Sequence, residues 1–151
     1  MERLDFRVAT NADIPFIQDV YGQNIEKLHG IHRSRSDWEE RLAKGSSTYY
    51  IACADVPVAW FRTEMEDGML WLGMLQVLPQ FQHQGIGKRI LCYFEELAVC
   101  NGISRIGIHT TEDNLPARSL YSRCGYTVSE IGMCTTADGA ERIGYTYTKS
   151  I

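Results

Sequence analysis

The chain has 151 residues, enough for one compact domain that buries about 70% of its unfolded surface. Hydrophobic residues at 44%, charged residues at 23% and a formal net charge of -4 argue for an ordinary globular protein, and against a disordered or basic nucleic-acid-binding one. No apolar run approaches the ~20 residues of a membrane span, and the first ten residues lack an apolar signal core, so the expected location is the cytoplasm with no membrane partner.

Residues 4–8 read as a first strand. Thr10 to Asp13 mark a helix start, followed by Ile14, Ile17, Val20 and Tyr21 at helical spacing. Residues 22–35 are weakly patterned and contain His29 and His32, which have no third metal ligand nearby. Ser36 is expected to cap a second helix over 37–43, with Trp38 and Leu42 on one face.

Strands are expected over 48–54 and 58–64, joined at Asp55 to Pro57, and over 70–77 after the turn at Glu66 to Gly68. The last of these is apolar on both sides. Simple alternation puts Leu70, Leu72 and Met74 on one face and Trp71, Leu75 and Val77 on the other, as a central strand requires. Pro79 ends it.

The clearest helix covers 85–101, with Ile90, Leu91, Phe94, Leu97 and Ala98 as its apolar stripe and Gly102 as its stop. A strand at 105–110 completes a strand–helix–strand passage, which predicts a parallel crossover. A short helix follows over 115–124, with Pro116 in its first turn and Gly125 past its end. Strands over 126–131 and 143–149 close the chain as a hairpin around Asp138 and Gly139. The five cysteines are odd in number and have no C-x-x-C spacing, so they read as free thiols.

The informative segment joins the central strand to the long helix: Pro79-Gln-Phe-Gln-His-Gln-Gly-Ile-Gly-Lys-Arg89. A helix start offers unpaired N–H groups and a partial positive charge. Gly85 and Gly87 admit an anion close to that backbone, and Lys88 and Arg89 oppose the dipole unless an anion sits there. The reading is a phosphate site. A Walker A loop fails at Gln82 and Arg89, and a dinucleotide fingerprint fails at Ile90.

The segment does fit Gln/Arg-x-x-Gly-x-Gly/Ala, as Gln82-His83-Gln84-Gly85-Ile86-Gly87, and resembles the coenzyme A loop of the GNAT superfamily of N-acetyltransferases. A second family signature matches at Asn114, Ala117, Tyr121, Gly125 and Tyr126. The resemblance covers most of the chain. It implies one GNAT-like α/β domain over 1–151, with a mixed sheet of about seven strands splayed at its middle and about four helices. It also implies acetyl-CoA as co-substrate, and no metal.

By that resemblance, Gln82, His83, Gln84, Gly85, Ile86, Gly87 and Lys88 form the diphosphate cradle. Leu75, Gln76 and Val77 line the pantetheine arm across a split from residues 108–110, and Asn114 reaches the arm from the other side. The reaction is direct transfer through a tetrahedral intermediate, with an amide near Leu75 or Val77 as the oxyanion donor. Tyr121 is the general acid for the departing thiolate.

Some relatives carry a glutamate eleven residues before the loop glutamine; here that position is Trp71. Glu64 is the first substitute as base and His109 the second. Glu26, Asp37, Glu39, Glu64, Glu66 and Asp67 would favour a cationic acceptor. The expected function is acetyl transfer to a primary amine on a small molecule or peptide. The alternative is a non-enzymatic acyl-CoA-binding regulatory or sensor domain. Exposed edge strands often pair in this family, which leaves a homodimer open alongside a monomer.

Overall fold

The computed structural model describes residues 3–151. The elements are β1 (Asp5–Val8), α1 (Ile14–Asn24), α2 (Arg35–Ala43), β2 (Ser47–Cys53), β3 (Pro57–Glu66), β4 (Met69–Val77), α3 (Ile86–Cys100), β5 (Arg105–Thr111), α4 (Leu115–Arg123), β6 (Thr127–Thr135) and β7 (Glu141–Ser150). The strands form one mixed sheet in the order β1-β2-β3-β4-β5-β7-β6. Among the described residues only β4 and β5 run parallel, joined by the α3 crossover. No helix among the described residues is long and apolar enough to cross a membrane.

Apolar cores lie on both faces of the sheet. Ile90, Leu91 and Phe94 of α3 pack with Ile106 and Ile108 of β5 and Tyr121 of α4. On the opposite face Ile14, Ile17 and Val20 of α1 and Trp38 of α2 pack on Tyr49, Ile51 and Trp60. Trp38 meets the Trp60 ring edge-on at 5.8 Å, a favourable aromatic geometry that ties α2 to β3.

Two local expectations change. The second helix is capped by Ser34, not Ser36: Ser34 Oγ accepts from the Asp37 amide, and the Asp37 carboxylate accepts from the Ser34 amide. This reciprocal pair satisfies two otherwise orphaned donors, so the helix starts at Arg35.

The second change lies in β4. Arg62 pairs with Met74 but Thr63 pairs with Leu72, so Gly73 is an extra, bulged residue. A bulge shifts side-chain alternation by one residue. Leu70 and Leu72 face α3 before it, and Leu75 and Val77 do so after it, while Met74 turns to the α1 side. The Arg62 guanidinium lies where a side chain at Gly73 would stand.

Candidate active site

The bulge also coincides with a parting of the sheet. β4 pairs with β5 only at Leu70–Ile106, Trp71–Gly107 and Leu72–Ile108, although both strands continue beyond. β4 stays bonded to β3 as far as Val77. The Leu78 amide donates to the Val58 carbonyl, so by antiparallel alternation Met74 and Gln76 bond toward β3, and Leu75 and Val77 turn their main chain into the gap. The gap opens into a cleft of about 1320 Å³.

The loop before α3 closes one end of that cleft. His83 and Gly85 are left-handed, at φ 63° and 81°, and Gly85 is the residue before the helix. This geometry turns the amides outward. None of the amides of residues 83–88 donates a hydrogen bond among the described residues; the first internal bond runs from Arg89 to the Gly85 carbonyl. A Cβ on Gly85 would meet open space, and one on Gly87 would lie 3.0 Å from Leu120 of α4. The loop therefore presents a row of unbonded donors at a helix start, an arrangement able to receive an anion.

Gln82 anchors the loop rather than extending it. Its Nε2 donates to the Val77 carbonyl at 3.0 Å and to Asn24 Oδ1 at 3.4 Å. Asn24 Nδ2 donates to the same carbonyl at 3.0 Å and to Gln76 Oε1 at 3.1 Å. Asn24 and Gln76 are buried, so this network satisfies polar groups that would otherwise be costly. Sequence reasoning missed Asn24, which sits at the end of an apolar helix stripe and bonds to residues more than fifty positions away.

Across the gap, Tyr121 of α4 lines the cleft with its ring buried among Tyr126 and Tyr147. Its hydroxyl has no hydrogen-bond partner among the described residues, and burial pushes its pKa well above the usual tyrosine value. The phenol keeps its proton. Asn114 stands before α4 and also lines the cleft.

The sheet's other face contributes the remaining wall. His109, the first β5 residue past the last bonded pair, stacks on Trp71 with centroids 4.5 Å apart and planes 7° apart. His109 Nδ1 lies 3.0 Å from Thr146 Oγ1. The segment between α1 and α2 covers this wall: His29 Nε2 lies 2.7 Å from Asp113 Oδ2, and the His29 carbonyl accepts from the Asp138 amide at 3.1 Å.

The cleft thus brings together Leu75, Gln76, Val77, Gln82, His83, Gly85, Ile86, Gly87, Lys88, Asn114 and Tyr121. Gln84 and Glu64 are not among its lining residues. The Gln84 side chain turns back to the Gln80 carbonyl at 3.3 Å. Glu64 lies 3.2 Å from Lys44 Nζ and 3.5 Å from Arg62, and these cations hold its carboxyl below the usual range against the effect of burial. The expected acidic lining also fails: Glu26, Asp37, Glu39, Glu66 and Asp67 lie outside the cleft. Periodicity could not show this, because which loops fold over a gap is a tertiary outcome.

The model of the acetyltransferase (GNAT) family matches residues 15–126. The chain belongs to this family. Solved structures with the same fold include the ribosomal-protein-S18-alanine N-acetyltransferase from Escherichia coli, at 17% identity and TM-score 0.79, covering 99% of this chain and 94% of the other. The PaiA N-acetyltransferase from Thermoplasma acidophilum, solved with coenzyme A, matches at 17% identity and TM-score 0.78, covering 99% of each. The Salmonella typhimurium acetyltransferase that modifies the N-terminal serine of ribosomal protein L7/L12 matches at 17% identity and TM-score 0.83, covering 100% and 96%. No curated protein matches. In this GNAT chain the family match ends at Tyr126, so Glu130, Tyr145 and Thr146 of the cleft wall come from the hairpin beyond it.

Proposed function

We propose that the protein is an acetyl-CoA-dependent N-acetyltransferase that moves the acetyl group directly to a primary amine of a small molecule or peptide. The observation that carries this is the row of unbonded amides at residues 83–88, set at the mouth of a gap whose far wall holds Tyr121. Acetyl-CoA supplies the thioester. The amides and Lys88 receive its diphosphate, and the Leu75 carbonyl and the Val77 amide pair with its amide-bearing arm. Gln82 and Asn24 hold the end of β4 against the loop, which keeps the two halves in register.

The amine lone pair attacks the thioester carbon, and the carbon–sulfur bond breaks. The Leu75 amide donates to the oxygen as its charge grows. Tyr121 gives its proton to the leaving thiolate, and His109 takes the proton the amine sheds. His109 replaces Glu64 in this reading, because it lines the cleft and Glu64 is held by Lys44 and Arg62. In this reading His109 Nδ1–H donates to Thr146 Oγ1, 3.0 Å away, and Nε2 carries the lone pair that takes the proton.

The test is release of free thiol from acetyl-CoA with a panel of amines, with the acetylated product confirmed by mass. The expected result is one thiol per acetylated amine. Tight CoA binding with no amine consumed would instead establish a sensor domain and sink the enzyme reading.

A further inference from the structure

Several arginines of this protein have partners: Arg7 bonds Asp13 at 2.7 Å, Arg142 bonds Asp138 at 2.9 Å, and Arg118 bonds the Glu112 carbonyl at 3.0 Å. Arg62 has an enclosed Nε but reaches Glu64 through Nη1, and Arg105, without a partner among the described residues, is exposed. Arg33 differs from all of these. It lines the cleft, its Nε is fully enclosed, and it makes no hydrogen bond or ion pair among the described residues. A guanidinium stays charged at any ordinary pH, and an enclosed donor left without an acceptor is costly. Such a group makes physical sense when an anion completes it.

Its place says which anion. Arg33 precedes α2, whose Trp38 packs on Trp60 against the sheet face away from α3. His109 lies on that face too, because its neighbours along the strand, Ile106 and Ile108, point toward α3. Lys88 and Arg123, at the start of α3 and the end of α4, stand on the opposite side with the free amides. The coenzyme's phosphates are therefore served elsewhere. On the His109 side the cleft cations are Lys27 and Arg33, and the only carboxylate lining the cleft among the described residues is Glu130.

Glu130 belongs to the same row as the imidazole: Glu130 pairs with Thr146, and Thr146 pairs with His109. This wall accordingly offers one negative group in line with the proposed base and positive groups across from it.

Resting on the acetyltransferase reading above, we propose that the acceptor is a small amino carboxylate, and that Arg33 is the specificity-determining residue that binds its carboxylate while the amine faces His109. Arg33 offers a planar fork of donors that matches a carboxylate in two parallel bonds. The acidic residues that would have favoured a polycation lie outside the cleft. The net field of the acceptor wall selects an acid-bearing amine over a plain one.

The experiment compares steady-state acetylation of the twenty free amino acids with that of their carboxamides, in the intact chain. The expected result is at least one amino acid whose kcat/KM exceeds that of its amide by about 10–100-fold, the scale of a desolvated charged hydrogen-bond pair. Arg33→Gln should bring that ratio toward one through KM for the acid, and Arg33→Lys should restore part of it. Equal use of acid and amide, or preference for amide or decarboxylated amines, overturns the proposal while leaving the transferase reading intact. An Arg33→Gln effect that falls on KM for acetyl-CoA also overturns it. Failure of all these acids and amides while another amine is acetylated overturns the proposal alone, and failure of every amine, peptides included, with CoA still bound overturns both readings.

Discussion

Trp71 and His109 stack 4.5 Å apart on neighbouring strands, and Gly107, the β5 partner of Trp71, makes room for them. A Cβ at Gly107 would run into the Trp71 ring, so the glycine and the stack depend on each other. The position where some relatives carry a glutamate here carries the platform for an imidazole. His109→Gln should lower kcat by about 10²–10⁴, the range for loss of a general base, while KM for acetyl-CoA changes little. Gly107→Ala should lower kcat as well, together with the melting temperature, because the stack must move. Steady-state kinetics and thermal melts on both variants check this; unchanged kcat in His109→Gln removes the histidine from the mechanism.

Tyr121→Phe separates chemistry from packing. The hydroxyl has no partner among the described residues, so the phenylalanine should fit the same site with little loss of stability. The rate should nevertheless fall by about 10²-fold or more, since the proposed proton donor is gone.

The same burial sets the alkaline limit. Tyr121 and Tyr126 both have pKa values raised by burial, so their contribution to stability is intact below the usual tyrosine value of about 10. It is lost progressively as pH rises beyond that, because the unfolded chain ionises first. Melting temperatures measured from pH 8 to 11.5 should hold and then decline above about 10, and less steeply in Tyr121→Phe. A decline already complete at pH 9 would contradict the assignment.

At the loop, Gly85→Ala forces a side chain into a left-handed residue at φ 81°, a strain of about 1–2 kcal/mol. Open space around that position means no clash adds to it. The loop should relax away from its outward-facing amides, raising the Kd for CoA measured by calorimetry more than it lowers the melting temperature.

Asn24→Ala should act from a distance. It leaves Gln76 Oε1 without its donor in a buried place and removes one of two donors from the Val77 carbonyl. The expected cost is about 1–3 kcal/mol, or a melting temperature lower by several degrees for a domain of this size. Weaker CoA binding should accompany it, because the strand end and the loop lose their tie.

Much of this protein follows from local pattern. The turn from Pro79 to Arg89 into a helix start is legible because glycine spacing and an adjoining apolar stripe are local facts, and the strand–helix–strand passage around it predicts the parallel crossover that β4 and β5 make. The seven strands and four long helices fall near where alternation and helical stripes place them. The tertiary structure decided the rest. One extra residue at Gly73 exchanged the faces of β4, which no alternation rule could foresee, since a bulge is set by the partner strand. The distant pairs Trp71–His109, Asn24–Val77 and His29–Asp113 arose from how the chain closes on itself, as did the withdrawal of Glu64 to Lys44 and the isolation of Arg33 in the cleft. Local propensity fixes elements within a few residues' reach; charge partners and cleft walls are chosen only when segments far apart in sequence are packed together.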